Sequence, residues 1–187
     1  LRGELGRIDR VGLLHGLDGL GRPLFSALRS LPVPSSPGGR LWRAAELVRE
    51  HRGDGHLAAL VAAGLDAVEA NVLTERWLGF ALGEYSATRA FGPDPLAAGV
   101  SRLQARGWMQ GDDLTDSGRA ARVAIEATTD ESQQALIHAC GDALDQIAES
   151  SRNRDCSRID RRRLVCPIWC DGISQLVRKV SCRSVPI

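Results

Sequence analysis

One stretch, residues 91–122, restricts the fold of this chain more than any other. Apolar positions between Leu96 and Gly107 recur at intervals of four, three and four residues, which predicts a helix with one apolar face over residues 94–107. The next residues, 108–115, read WMQ-GD-DLT, with a glycine and a polar residue between two short runs. That pattern is typical of a two-residue β-hairpin. We therefore expect a helix, a hairpin and then a further helix.

Thr115 and Asp116 indicate where that further helix begins. Threonine is a favoured N-cap because its hydroxyl accepts a hydrogen bond from a free N–H group in the first turn. An acid in that turn suits the positive end of the helix dipole. The expected fold class is therefore mainly α: a winged helix-turn-helix over residues 84–128, with a short β-hairpin wing and additional N-terminal helices.

The same residues carry a family resemblance. The run ARGWMQGDDLTDSGRAARVAIEATTD, residues 105–130, is similar to the end of a MarR-type winged helix, in which a recognition helix leads into the wing. With GRPLF (21–25), LW (41–42) and EHRGDGH (50–56), it resembles an actinobacterial group of MarR-like proteins, the SalK-like family, over roughly residues 20–148. The resemblance implies a transcription regulator that binds double-stranded DNA, with a homodimer and a small-molecule effector as the expected partners.

Polar side chains on the outer face of the predicted recognition helix are the candidates for DNA contact. Arginine can read guanine and glutamine can read adenine in the major groove, and an arginine just before the helix could reach a phosphate. The alternative interpretation is that these residues are only the solvated face of a core helix. The candidate DNA-binding residues are Arg89, Ser101, Arg102, Gln104 and Arg106.

The charge distribution argues against DNA binding. Residues 151–187 hold nine basic and three acidic groups, so residues 1–150 hold 15 basic and 20 acidic groups and have a net charge of −5. The predicted wing tip contains Asp112 and Asp113, where MarR-type proteins typically carry arginine or lysine. Carboxylates repel phosphates, by on the order of 1 kcal/mol per close pair in water. An alternative function is therefore a winged-helix scaffold that does not read DNA.

The patch HRGDGH is the candidate ligand site for that alternative. His51, Asp54 and His56 could line a pocket for a small molecule or contact a protein partner, because both residue types can exchange protons and bind polar ligands. The structural alternative is a helix end, in which Gly53 supplies the left-handed position and Asp54 caps the next helix. A metal is not expected, because it needs a third or fourth ligand.

The composition divides the chain into four segments. Residues 1–31 are predicted to be an N-terminal helical segment, truncated because the chain begins with Leu1 rather than methionine. Residues 32–39, PVPSSPGG, are predicted to be a linker. Residues 40–148 are predicted to be the helical domain. Residues 149–187 form a basic, cysteine-containing tail that we expect to be irregular or frame-shifted, with nucleic-acid contact as an alternative.

Within the helical domain, the apolar pattern predicts the helices that surround the winged half. Residues 57–82 should form two helices broken at Gly64, and residues 84–91 a short helix before the recognition helix. Residues 116–148 should form two helices or one bent helix, with Thr128-Thr129-Asp130 offering a fresh cap. The pair around Gly64 is a second helix-turn-helix candidate, excluded as the DNA reader because acids outnumber its one basic residue. Those residues are Asp66, Glu69, Glu75 and Arg76.

Several function classes have no support in the sequence. The chain has no glycine-rich phosphate loop that follows a strand and no Gly-x-Ser-x-Gly motif, so we expect no enzyme, catalytic residue or cofactor. The alternative is an enzyme whose centre is His51, Asp54 and His56. The spacing of the four tail cysteines matches no common zinc motif. No apolar run approaches the roughly 20 residues that cross a membrane, and no segment has the layout of a signal peptide. The expected location is the cytoplasm.

Overall fold

The computed structural model describes residues 14–140 of the 187-residue chain. The predictions for the tail, residues 149–187, and for residues 1–13 of the N-terminal helical segment lie outside the described residues. The expected fold class, mainly α with a small hairpin, is confirmed. The elements are α1 (Pro23–Arg29), α2 (Pro37–Ala62), α3 (Ala67–Leu78), a 3-10 turn (Ser86–Arg89), α4 (Pro93–Ala105), β1 (Met109–Gln110), β2 (Asp113–Leu114), α5 (Asp116–Glu131) and α6 (Gln134–Cys140).

The chain forms two compact units. Among the described residues, the first unit contains residues 14–18, 29–48 and 134–140, and the second contains residues 19–28 and 49–133. In the first unit the buried apolar side chains are Leu14, Leu17, Ala44, Leu47 and Leu136. All the predicted site residues lie in the second unit.

Helix α2 differs from the sequence prediction at its start. The helix begins at Pro37 rather than after Gly39, so the segment 32–39 is not wholly a linker. Ser36 explains the difference, because its hydroxyl accepts a hydrogen bond from the N–H of Gly39 at 3.1 Å, as an N-cap does. Proline is tolerated in a first turn, where its missing N–H has no helical partner.

Helix α2 also continues without interruption through HRGDGH to Ala62, so the predicted helix end at Gly53 and the cap at Asp54 were wrong. Gly55 is required by packing rather than by a turn. A Cβ at Gly55 would overlap the hydroxyl of Ser132 and lie 3.0 Å from the side chain of Gln133. The glycine therefore allows α2 to approach the end of α5 closely.

The predicted break at Gly64 is confirmed. Gly64 has a φ of +70°, a left-handed conformation that glycine adopts without strain. Asp66 then caps α3, because its Oδ1 accepts hydrogen bonds from the N–H groups of Val68 at 2.9 Å and Glu69 at 2.8 Å. The Glu69 carboxylate accepts in return from the N–H of Asp66 at 3.0 Å, which completes a capping box.

The α3–α4 segment, residues 79–92, contains only a 3-10 turn where the sequence predicted a helix over residues 84–91. Buried Glu75 accounts for the difference. One of its oxygens accepts hydrogen bonds from the N–H groups of Tyr85 at 2.8 Å and Ser86 at 2.6 Å, and the other accepts from Gly83 at 3.0 Å. Because this carboxylate binds these N–H groups, the segment folds around Glu75, and the helix that precedes α4 is α3.

The hairpin and the start of α5 are confirmed. Met109 pairs with Leu114 and Gln110 with Asp113 in an antiparallel ladder. Gly111, with a φ of 57°, supplies the positive φ that the turn needs. The hydroxyl of Thr115 accepts a hydrogen bond from the N–H of Gly118 at 3.1 Å, so Thr115 is the N-cap of α5.

The predicted cap near Thr129 was wrong, because α5 continues to Glu131. Thr129 is buried, and its hydroxyl donates to the carbonyl of Ile125 at 2.8 Å inside the helix. The break between α5 and α6 falls at residues 132–133 instead.

The core of the second unit joins α2, α3, α4, α5 and the hairpin. Both strands contribute one buried side chain each, and the exposed partner of each points away, as the two-residue period of a strand requires. The buried core residues are Ala59, Leu60, Leu65, Val72, Leu73, Leu103, Met109, Leu114 and Ile125. Within residues 14–140 no single helix is both long and apolar enough to cross a membrane, and α2 and α3 are so only when taken together as a pair bent by 106°.

Candidate nucleic-acid interface

Helices α3 and α4 pack closely, which fixes the position of the predicted recognition helix. Gly99 of α4 is buried, and a Cβ there would lie 2.7 Å from the side chain of Val68 on α3. Leu103 and Leu73 are both fully buried in the shared core. The apolar face of α4 is therefore turned inward, and its polar face remains on the surface beside the hairpin.

Two of the predicted DNA-binding residues contact their own helix or the wing. The hydroxyl of exposed Ser101 donates to the carbonyl of Ala97 at 2.9 Å. The amide of exposed Gln104 donates to the carbonyl of Gly111 at 3.1 Å, which ties the wing turn to α4. Both side chains stay on the surface between the recognition helix and the wing, where a base edge or a phosphate could replace their present partners.

The two arginines of the predicted recognition helix face the first turn of α3. Nη2 of Arg102 lies 2.6 Å from Oδ2 of Asp66, and its Nε lies 3.8 Å from Oε1 of Glu69. Nε of Arg106 lies 3.1 Å from the same oxygen of Glu69. The structure thus pairs two arginines that were predicted to contact DNA with two carboxylates whose negative charge was expected to oppose DNA binding.

Arg106 is held more firmly than Arg102. Its guanidinium also donates to the carbonyls of Ala63 and Gly64 and lies 5.4 Å from the ring centre of Trp108. Its partner Glu69 is only 2% exposed. Arg102 is 44% exposed and its nearer partner, Asp66, is 48% exposed, whereas its contact with Glu69 is longer, at 3.8 Å.

Arg89 lies at the end of the 3-10 turn, apart from the ion pairs of α4. Its guanidinium stacks on the ring of Tyr85 at 4.8 Å and donates to the Tyr85 hydroxyl. The side chain is exposed. Tyr85 itself is half-buried, so its ring holds the exposed guanidinium at the surface of the α3–α4 segment.

The wing carries one paired and one exposed carboxylate. Asp113 forms an ion pair with Arg76 of α3 at 2.8 Å, which offsets part of the negative charge at the hairpin. Asp112 is exposed at the tip of the turn.

An open groove of about 660 Å³ runs between the α3–α4 segment and α4, with apolar walls and Asp112 among its lining residues. Its lining includes Leu82, Phe91, Leu96, Val100 and Gln104.

A comparison with known protein families matches residues 9–160 to one described as a helix-turn-helix family. The chain belongs to this helix-turn-helix family. The expected family is therefore confirmed at this level, whereas the MarR-like and SalK-like assignments stay predictions. Searches of curated proteins and of solved structures found no match.

The predicted ligand residues of HRGDGH are in the same unit as the helix-turn-helix but belong to the packing of α1, α2 and α5. Asp54 is buried, and its Oδ2 accepts a hydrogen bond from the N–H of Phe25, in the first turn of α1, at 2.9 Å. Nδ1 of buried His51 donates to Oε1 of Gln133 at 2.8 Å, and its ring meets that of Phe25 edge-on at 5.1 Å. Burial lowers the pKa of His51.

His56 belongs to a partly buried charged cluster between α2 and α5. Glu126 forms ion pairs with Arg52 at 2.9 Å and with Arg122, and it lies 4.0 Å from His56. Nδ1 of His56 donates to the hydroxyl of Thr129 at 3.0 Å. Burial would raise the pKa of Glu126, but the neighbouring cations outweigh it and the pKa is lowered. Among the described residues, no three histidine, cysteine or acidic side chains are arranged to hold a metal ion.

Stability should fall in mild acid because of His56. Burial lowers the pKa of His56 to about 4, whereas an unfolded histidine titrates near 6.5. Between these values the unfolded chain binds the proton and the folded chain does not, so the stabilisation is complete above pH 6.5 and is lost as the pH falls towards 4. We expect a loss on the order of 2 kcal/mol from this residue, after allowance for its partial exposure.

Urea unfolding of the wild type and of His56→Gln at pH 7 and pH 4.5 measures this effect. Glutamine can still donate to Thr129 but does not titrate, so the variant should lose less stability in acid than the wild type. An equal loss in both proteins would mean that another group controls the acid sensitivity.

Sequence reasoning missed three acids that organise this site. The spacing of Asp66 and Glu69 is that of a capping box, so their position at the start of α3 could have been read from the sequence. Glu75 offered no comparable local signal, because its partners lie eight to eleven residues further along a loop. The sequence predicted only a negative charge at these three positions, whereas in the structure each carboxylate binds backbone N–H groups or arginine side chains.

Proposed function

We propose that this chain is a winged helix-turn-helix transcription regulator that binds double-stranded DNA, with the polar face of α4 in the major groove. The observation that carries the proposal is the arrangement of α3, the α3–α4 segment and α4, followed directly by a hairpin wing bonded to α4 through Gln104. It is supported by the family match and by the resemblance to MarR-like and SalK-like proteins. Such a regulator would act in the cytoplasm, as a homodimer if the resemblance extends to assembly.

The proposed contacts divide into two kinds. Gln104 is the candidate for reading base edges, and Arg102 is a candidate for contact with a guanine or, in random DNA, with a phosphate, because both side chains are exposed on α4. Ser101 and Arg89 are candidates for phosphate contact, which positions a protein on DNA without reading its sequence. Arg106 completes the set, although most of its hydrogen-bonding groups are engaged within the protein. With so few cations at the surface, we expect weak binding to random DNA and a shallow salt dependence.

Arg102→Gln is the variant that tests the proposal. Fluorescence anisotropy with a labelled random duplex at 50 mM and 200 mM salt should show about tenfold weaker binding for the variant, with a salt slope smaller by about one. Arg49→Gln is the matched control, since it removes an equally exposed arginine from α2. Binding that is unchanged in Arg102→Gln, or weakened equally in both variants, would contradict the assignment of α4 to the major groove.

A second candidate function is a small-molecule site at His51, Asp54 and His56. One observation favours it: Oδ1 of Asp54 and Nε of Arg52 and Arg122 are buried, with no hydrogen-bond partner among the described residues. A polar ligand could satisfy such atoms. A panel of small carboxylic acids should raise the melting temperature of the wild type but not of His56→Ala. If no acid gives a shift that His56→Ala removes, this second function is wrong.

A further inference from the structure

We propose that Asp66 competes with DNA for Arg102, so that the first turn of α3 limits the DNA affinity of α4. The inference rests on the proposed function, because it concerns the regulation of the same surface. It begins from the ion pair between Nη2 of Arg102 and Oδ2 of Asp66, 2.6 Å apart on the surface of the unit. This pair engages the arginine that α4 offers to DNA with a carboxylate of its own chain.

The two arginines of α4 have different roles in this arrangement. Arg106 binds buried Glu69 and two backbone carbonyls, so it cannot turn outward without leaving a buried charge unpaired. Arg102 meets Asp66, whose side chain is about as exposed as its own. Exposed ion pairs contribute little to stability, so Arg102 can exchange Asp66 for a phosphate at small cost. Arg102 is thus the exchangeable cation, and Arg106 fixes the position of α4.

Asp66 would oppose DNA binding in two ways. Arg102 has to leave Asp66 before it can contact DNA, and the vacated carboxylate then remains close to the phosphate backbone. Its second oxygen, Oδ1, caps α3, so the side chain cannot move away from the interface. Removal of the charge alone should therefore increase the affinity for DNA, which is the opposite of the usual result of a mutation in a binding surface.

The variant Asp66→Asn tests the effect of the carboxylate's charge on DNA affinity separately from its role as a helix cap. Asparagine caps helices about as well as aspartate, so α3 should keep its start while Arg102 loses its competitor. We expect about three- to tenfold tighter binding of a random duplex at 50 mM salt, because Arg102 no longer has to leave a carboxylate and no carboxylate remains beside the phosphate backbone. Glu131→Gln is the control for net charge, because Glu131 is exposed at the end of α5 opposite the wing.

The double variant Asp66→Asn with Arg102→Gln tests whether the gain passes through Arg102. In the Arg102→Gln background, Asp66→Asn should give a smaller gain in affinity than in the wild type, because only the repulsion between the carboxylate and the phosphates is then relieved. If Asp66→Asn binds duplex DNA only as tightly as the wild type, or gains only as much affinity as Glu131→Gln, the inference is wrong. The proposed function would still stand. If neither the wild type nor Asp66→Asn binds duplex DNA, the inference and the proposed function both fail. Thermal unfolding of each variant identifies any loss of binding that comes from misfolding.

Discussion

Glu75→Leu should lower the free energy of unfolding by about 4 kcal/mol, the largest effect that we expect from any single side chain in the second unit. The carboxylate is fully buried and accepts three backbone hydrogen bonds, from Gly83, Tyr85 and Ser86. Leucine fills a similar volume but accepts none of them. Each unsatisfied buried N–H group costs about 1 to 3 kcal/mol. The bond from Ser86 is fully buried, whereas those from Gly83 and Tyr85 are partly buried.

The change should also remove DNA binding, because the α3–α4 segment sets the direction in which α4 leaves α3. Urea unfolding followed by circular dichroism measures the stability. Glu84→Gln is the control, since Glu84 lies in the same segment and accepts one exposed hydrogen bond, from the N–H of Ala81 at 3.1 Å. We expect Glu84→Gln to stay within about 0.5 kcal/mol of the wild type. A loss below about 1 kcal/mol for Glu75→Leu would show that Glu75 does not organise the segment.

Gly118→Ala should destabilise the protein by about 3 kcal/mol, at the upper end of the usual cost of overpacking. A Cβ at this position would overlap the carbonyl oxygen of Trp108 and lie 2.9 Å from its carbonyl carbon. These are backbone atoms, so no side-chain rotation relieves the contact. The same oxygen accepts a hydrogen bond from the N–H of Thr115 at 3.1 Å, and any shift that makes room weakens the base of the hairpin. The gain in helix propensity, about 1 kcal/mol, is too small to compensate.

The matched control is Gly38→Ala. Gly38 lies in the first turn of α2, and a Cβ there would meet nothing within 4 Å. The variant should be neutral or more stable by up to about 1 kcal/mol, since alanine restricts the unfolded chain. Melting temperatures of the two variants compare the same chemical change in a crowded and an open position. If both glycines tolerate alanine equally, the wing is not packed on the start of α5.

The most accurate sequence predictions concern features with short-range causes. The hairpin follows from two adjacent residues, and the start of α5 from one hydroxyl three residues before the N–H that it binds. The break at Gly64 likewise needs only a glycine in a left-handed conformation. In each case the residues that determine the structure are close in sequence, so their pattern can be recognised without the rest of the fold.

The errors have the opposite cause. HRGDGH contains two glycines and a capping residue, which locally favour a helix end, but α2 continues through them. Its side chains bind groups far away in sequence: Asp54 binds a residue 29 positions earlier, and His51 one that is 82 positions later. These contacts outweigh the modest helix penalty of glycine, about 1 kcal/mol per residue. The expected helix over residues 84–91 failed for the same reason, because a buried carboxylate of α3 binds its N–H groups.

The sequence by itself determined the order of helix, hairpin and helix, since periodicity, turn chemistry and capping act within a few residues. Only the tertiary structure decided how the charges are used, because ion pairs join residues that are distant in sequence. Asp66 and Arg102 are 36 positions apart, and their net effect on DNA binding depends on a 2.6 Å contact that no local pattern encodes. The number of charged residues predicts the sign of the net charge at the surface. The geometry of the ion pairs determines which arginine is fixed and which can exchange its partner.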